Sequence, residues 1–189
     1  MKYLKISLIL CIISLICAAG IAGVNELTAG TIKENAEKAQ LEAYQAIFEA
    51  YDDEKSIKLD TDNSSIESKI LAYDSEGNEL GLLYTVSGSN SYGKLKVVVA
   101  IVDNKVKQIE ILENGQSYAS LVVTHVRNEY PASPDEATHL GFAPEKGEAV
   151  SDLTIDEVVN IDTKCGATFG ANKVKQLVLI ALEDAMEVA

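Results

Sequence analysis

The sequence predicts an α+β protein, with one N-terminal membrane-spanning helix followed by a small domain that has a β-meander and flanking helices. Three observations carry this expectation. Residues 6–24 read ISLILCIISLICAAGIAGV, nineteen residues without a charge. Between 69 and 112, short β-prone runs alternate with turn residues. The last stretch, 173–188, is amphipathic at helical spacing.

The N-terminal run comes first. At a rise of about 1.5 Å per residue, about twenty apolar residues cross a bilayer core. Lys2 and Lys5 precede the run and Glu26 is the first charge after it. Positive charge stays in the cytoplasm, so residues 1–5 are expected inside and everything after the span outside. The rival is a cleaved signal peptide, whose apolar region is usually about 7–15 residues and ends in a small-x-small site. Gly20-Ile21-Ala22 can serve as such a site. A lipoprotein site at Cys17 has a poor lead-in, since Leu15-Ile16 stands where a small residue is expected. Length favours the retained anchor.

Composition bounds what the rest does. A chain of 189 residues is one domain plus an appendage by default. Net charge is −13; two of the 16 Lys and Arg, Lys2 and Lys5, precede the span, leaving 14 against 29 Asp and Glu beyond it. That excess excludes nucleic acid or an anionic lipid surface as the main partner. Cys11 and Cys17 lie in the span, where cysteine acts as a small hydrophobe. Cys165 is alone outside it, so no disulfide framework is expected within one chain. No Cys-x-x-Cys, histidine cluster or metal-ligand spacing occurs, and no metal site is expected.

Beyond the anchor, residues 31–53 read as an Ala-rich helix: Ile32, Ala36, Ala39, Ala43, Ala46, Ile47 and Ala50 recur near helical spacing. Residues 60–65 form a polar loop. Strands are expected at 69–73, 80–87, 95–102 and 106–112, with turns at 74–78 and 103–105 and a loop at 88–93. Residues 117–128 suit a short helix. Residues 130–149 hold all three prolines and read as loop. Residues 152–161 suit a strand or a short helix. His125 and His139 read as surface or structural residues.

The chemistry is concentrated at Asp162-Thr163-Lys164-Cys165-Gly166-Ala167-Thr168, just ahead of the C-terminal amphipathic run. Two residues with almost no side chain precede a hydroxyl, so the backbone can lie close to something large and flat. Asn172, or a residue before it, can cap the following helix, whose free N–H groups make a natural seat for phosphate. Taken alone, such a loop is ordinary capping.

The motif resembles the flavinylation site, Asp-x-x-Ser/Thr-Gly-Ala-Thr, of FMN-binding domains. These occur in the G subunit of Rnf electron-transport complexes and the related C subunit of sodium-pumping NADH:quinone reductases. Val24-Asn25-Glu26-Leu27-Thr28 is similar to the anchor exit of Rnf G subunits, where Asn/Tyr-Glu-x-Thr follows the span. Residues 80–113 also resemble the family, with a Tyr-Gly loop, a hydrophobic strand, a turn and a second strand. Two places depart. Cys165 and Gly170 stand where the family carries hydroxyls, and Glu113-Asn114-Gly115-Gln116-Ser117 replaces a His-x-Glu-Thr-Pro-Gly-like loop.

The resemblance implies FMN joined through its phosphate to Thr168, with Gly166, Ala167, Cys165, Asp162 and Tyr92 as further cofactor-binding residues. Tyr92 is either stacked on the flavin or an ordinary core or turn tyrosine. No activating base lies near Thr168, so a separate exported flavin transferase, using FAD and Mg²⁺, is implied. Asp162 is either read by that enzyme or caps the loop. No catalytic residue is expected, the isoalloxazine carrying the redox work.

The implied organisation is 1–5 cytoplasmic, 6–24 anchor, 25–58 helical stalk and 59–189 extracytoplasmic FMN-binding domain. The implied role is an electron-transfer subunit, not catalytic alone, of an Rnf-type ion-translocating ferredoxin:NAD⁺ oxidoreductase, with other membrane subunits as partners. The alternatives are a stand-alone anchored flavoprotein for extracellular electron transfer, and a non-redox exported binding domain with a degenerate motif.

Overall fold

The computed structural model describes residues 2–131 and 150–188. Most of the loop expected over 130–149, and His139 with it, lies outside the described residues. The chain divides into two compact units, Met1–Ala39 and Gln40–Ala189.

Helix α1, Lys2–Ile47, runs unbroken through the apolar span and the Ala-rich segment. Among the described residues it is the helix long and apolar enough to cross a membrane. Side chains from Ile6 to Val24 are exposed, as lipid-facing residues are. Ser14 and Thr28 donate their hydroxyls one turn back, to the Leu10 and Val24 carbonyls at 3.0 and 2.9 Å. These bonds satisfy polar groups where water is scarce. The span and the helix expected from residue 31 are one helix, because nothing in residues 23–31 ends it: Gly23 and Gly30 lower propensity without interrupting hydrogen bonding.

The helix ends at Ile47, earlier than the expected Asp53. Phe48 and Tyr51 close a turn, and Asp52 Oδ1 accepts the Glu54 and Lys55 N–H groups at 2.9 and 3.3 Å. A short acidic side chain that bonds nearby backbone competes with the helix in this way.

The second unit is built on a five-stranded antiparallel sheet in the order β1-β2-β3-β4-β5, a plain meander. The strands are β1 Ile57–Leu59, β2 Ile66–Tyr73, β3 Glu79–Asn90, β4 Gly93–Val102 and β5 Lys105–Asn114. Four were expected. The fifth, β1, is three residues long, too short for a periodic signal. The loop expected at 88–93 is strand instead, because Asn90 pairs with Gly93 and leaves only Ser91-Tyr92 as the turn. Asp103 and Asn104 both take positive φ, 50° and 58°, the two-residue turn whose twist matches a hairpin.

Strand β4 is nearly all apolar because both faces are buried. Leu95, Val97, Val99 and Ile101 face the larger core, while Val98 and Ala100 face a smaller one. The smaller core contains Ala43, Tyr44 and Tyr51, so the last two turns of α1 cover one face of the sheet. There Tyr44 Oη and Thr85 Oγ1 lie 2.7 Å apart, and Gln40 Nε2 donates to Thr85 at 3.1 Å.

The other face carries α2 Ala119–Glu129, α3 Ile155–Asn160 and α4 Thr168–Val188. Segment 152–161 takes the short-helix alternative, preceded by a single isolated bridge. Leu153 bridges Val106 on β5, and Thr154 then starts α3 with a reciprocal capping box to Glu157. Helix α4 buries Ala171, Val174, Leu177, Val178, Ala181, Leu182 and Ala185, the i, i+3, i+4 stripe of an amphipathic helix. Near its end Asp184 pairs with the buried Lys69 of β2 and accepts the Tyr84 hydroxyl at 2.9 Å.

Candidate functional site

The residues that precede α4 are shaped by local bonds. Asp162 is exposed, and its Oδ1 accepts the Lys164 N–H at 3.0 Å. The Cys165 N–H donates to the Thr163 carbonyl at 3.0 Å. Gly166 takes φ +79°, a conformation that L side chains rarely adopt. That turn lets α4 begin at Thr168, five residues before the amphipathic run expected from 173. Thr168 is therefore in the first turn of the helix, not on the loop. Asn172 caps nothing; its Oδ1 accepts the Thr163 hydroxyl at 2.8 Å and ties loop to helix.

The Ala171 N–H bonds back to the Ala167 carbonyl at 3.0 Å, which makes Ala167 the residue at the cap. Alanine offers no side-chain oxygen, so no side chain among the described residues caps the N–H groups of Thr168, Phe169 and Gly170. An uncapped first turn with the positive end of the helix dipole is suited to an anion.

A cavity of about 230 Å³ opens at this helix start. It is lined by Gly166, Ala167, Thr168, Phe169 and Gly170 from the motif side, and by Tyr92, Gln116, Ser117, Tyr118 and Val122. Of the sequence-predicted site residues, Thr168, Gly166, Ala167 and Tyr92 thus come together. Cys165 and Asp162 do not line the cavity. Cys165 packs half-buried against the larger core, and Asp162 holds the loop.

Aromatic rings stand around the opening. Tyr92 and Phe169 have ring centroids 5.0 Å apart, tilted by 32°. Asn90 links their backbones, its Oδ1 accepting the Tyr92 N–H at 2.8 Å and its Nδ2 donating to the Phe169 carbonyl at 3.1 Å. Phe169 is 63% exposed and Tyr118 61% exposed beside the opening.

Gln116, Tyr118 and Phe169 were missed by sequence reading. Phe169 follows the motif directly and was legible as an unexplained aromatic. Gln116 and Tyr118 sit in the departing loop after β5 and had no signal. The Gly170 departure has a steric cause: a Cβ there would lie 2.4 Å from Val122 Cγ2 on α2.

Residues 2–47 match the family model described as the RnfG N-terminal region. This chain resembles RnfG. The match coincides with α1, 46 of 189 residues, and with the helix long and apolar enough to cross a membrane. No curated protein matches the chain. The RnfG-like anchor thus precedes a domain whose cavity is formed by residues outside the matched segment.

Proposed function

We propose that this chain is an extracytoplasmic flavoprotein subunit of an Rnf-type complex, carrying FMN esterified through its phosphate to Thr168. The observation that carries the reading is the position of Thr168. It is the first residue of an uncapped helix, opening on a cavity ringed by Tyr92, Tyr118 and Phe169, in a chain with an RnfG-like anchor. The N–H groups of Thr168, Phe169 and Gly170 suit the phosphate, and the exposed rings suit a planar heterocycle. Gly166 and Ala167 keep the approach to the hydroxyl open.

Bound there, FMN supplies the redox chemistry and relays electrons between iron–sulfur or flavin partners of the complex. Attachment needs a separate flavin transferase using FAD and Mg²⁺. The Thr168 oxygen bonds the phosphorus of the FMN half, AMP leaves, and the hydroxyl proton passes to the transferase, since no base lines the cavity beside Thr168 among the described residues. A covalent tether prevents loss by dilution outside the cell. Lys2 and Lys5 ahead of the span orient the domain outward.

The test is intact mass and in-gel fluorescence of the full chain co-expressed with a flavin transferase. The wild type gains one FMN that survives denaturation, and Thr168→Val gains none while its melting temperature is retained. A fluorescent Val variant, or an unmodified wild type, overturns the assignment. A reporter fused at the C-terminus is active only if it functions outside the cytoplasm.

A further inference from the structure

Among the residues that line the cavity, Gln116 is the buried polar one, 7% exposed. Its backbone N–H donates to Asn114 Oδ1 at 3.2 Å, and its side-chain Nε2 donates to the Gly93 carbonyl at 2.7 Å. That carbonyl can only accept, so the amide nitrogen faces it and Oε1 faces away. Oε1 stands 3.4 Å from where a Cβ of Gly170 would lie, beside the first turn of α4.

Oε1 accepts no hydrogen bond among the described residues. The sealed, unpartnered side-chain atoms there are His125 Nε2 and Tyr130 Oη, and Gln116 Oε1 is not one of them. It therefore opens into the cavity as an acceptor whose direction the Gly93 bond fixes. An acceptor on a largely buried side chain is costly until a donor reaches it.

A phosphate joined in a diester carries no proton near neutral pH, so its oxygens cannot donate. The donors of an attached, oxidised FMN are the ribityl hydroxyls and the ring N–H. Position decides between them. Oε1 lies beside the turn whose free N–H groups suit the phosphate. The 4′-hydroxyl is borne by the carbon next to the one that carries the phosphate. The ring N–H is at the other end of the molecule, beyond the whole ribityl chain. We infer that Gln116 Oε1 accepts the 4′-hydroxyl, so that the cavity takes the phosphate and the adjoining polyol chain together. The inference rests on the flavin reading above. It makes Gln116 a positioning residue that anchors the ribityl chain and leaves the ring untouched.

The experiment uses the full chain in detergent, co-expressed with the flavin transferase and supplied with the ordinary flavin, a 4′-deoxy flavin or a flavin methylated on the ring nitrogen. Intact mass reports attachment, and the melting temperature reports the contact. In the wild type the 4′-deoxy flavin melts about 2–4 °C below the ordinary one, the loss of one hydrogen bond of ordinary net strength. The ring-methylated flavin leaves the melting temperature unchanged. In Gln116→Leu the ordinary and 4′-deoxy flavins give the same value. Both are compared within the variant, so the separate loss of the Gly93 bond cancels. The wild-type comparison stands by itself if the Leu variant does not fold. A flavin that the transferase does not attach is titrated as its phosphate against the flavin-free chain, where loss of the 4′-hydroxyl weakens binding about fivefold. Three results overturn the role of Gln116 and leave the flavin reading intact: a loaded wild type indifferent to the 4′-hydroxyl, one destabilised by the ring methyl instead, or a Leu variant that still tells the two flavins apart. A wild type without the flavin mass removes both.

Discussion

Gly170 brings its bare Cα against Val122, so that any Cβ at 170 would approach Val122 Cγ2 to 2.4 Å. Helices α2 and α4 meet at this point, and the meeting places Thr168 beside the cavity. The hydroxyl that related motifs carry here has no room while α2 stands where it does.

Gly170→Ser therefore does not improve the site. It pushes α4 from α2 and lowers stability by about 1–3 kcal/mol, the usual cost of overpacking. The expected outcome is a lower melting temperature together with reduced FMN loading by intact mass.

Cys165→Ser leaves loading unchanged or raised, because Cys165 packs against the core and does not line the cavity. The hydroxyl at a half-buried site costs about 1 kcal/mol of stability, read as a denaturant midpoint. Stopped-flow reduction of the loaded variant should match the wild type; a depressed rate at equal flavin content assigns the thiol a redox role.

Asp184→Ala leaves the Lys69 ammonium buried without its partner and frees the Tyr84 hydroxyl. Breaking a buried pair from one side costs about 3–5 kcal/mol. Replacing both partners, with Lys69→Met and Asp184→Leu, recovers most of the loss. Denaturant unfolding of the single and double variants measures the difference.

His125 is 4% exposed, and burial holds its pKa below the ordinary 6.5, against a smaller opposing pull from Glu129 and Asp162. Below pH 6.5 the unfolded chain takes up a proton that the folded chain refuses, so stability falls as pH falls. The slope is at most about 1.4 kcal/mol per pH unit. His125→Leu flattens this acid limb, measured as the change in denaturant midpoint between neutral and mildly acidic buffer. At the alkaline end the slope reverses. Tyr51, Tyr84 and Tyr130 are buried with pKa values raised above 10.0, so stability is lost as pH rises past that value.

The sequence by itself determined the uncharged span, the four longer strands with their turns, and the amphipathic C-terminal helix. Each of these is a local pattern: a run, an alternation, or a stripe that one stretch of chain must display in order to bury its own apolar face. It also singled out Thr168 and the small residues before it. The tertiary structure decided what surrounds them. Tyr92 comes from the β3–β4 turn, Gln116 and Tyr118 from the loop after β5, and Val122 from α2; they meet the motif only because the meander folds back under α4. The start of α4 at Thr168, and the exclusion of a side chain at Gly170, depend likewise on contacts between segments about fifty residues apart. No local periodicity records such contacts, since they arise from packing between elements and not from the pattern within one.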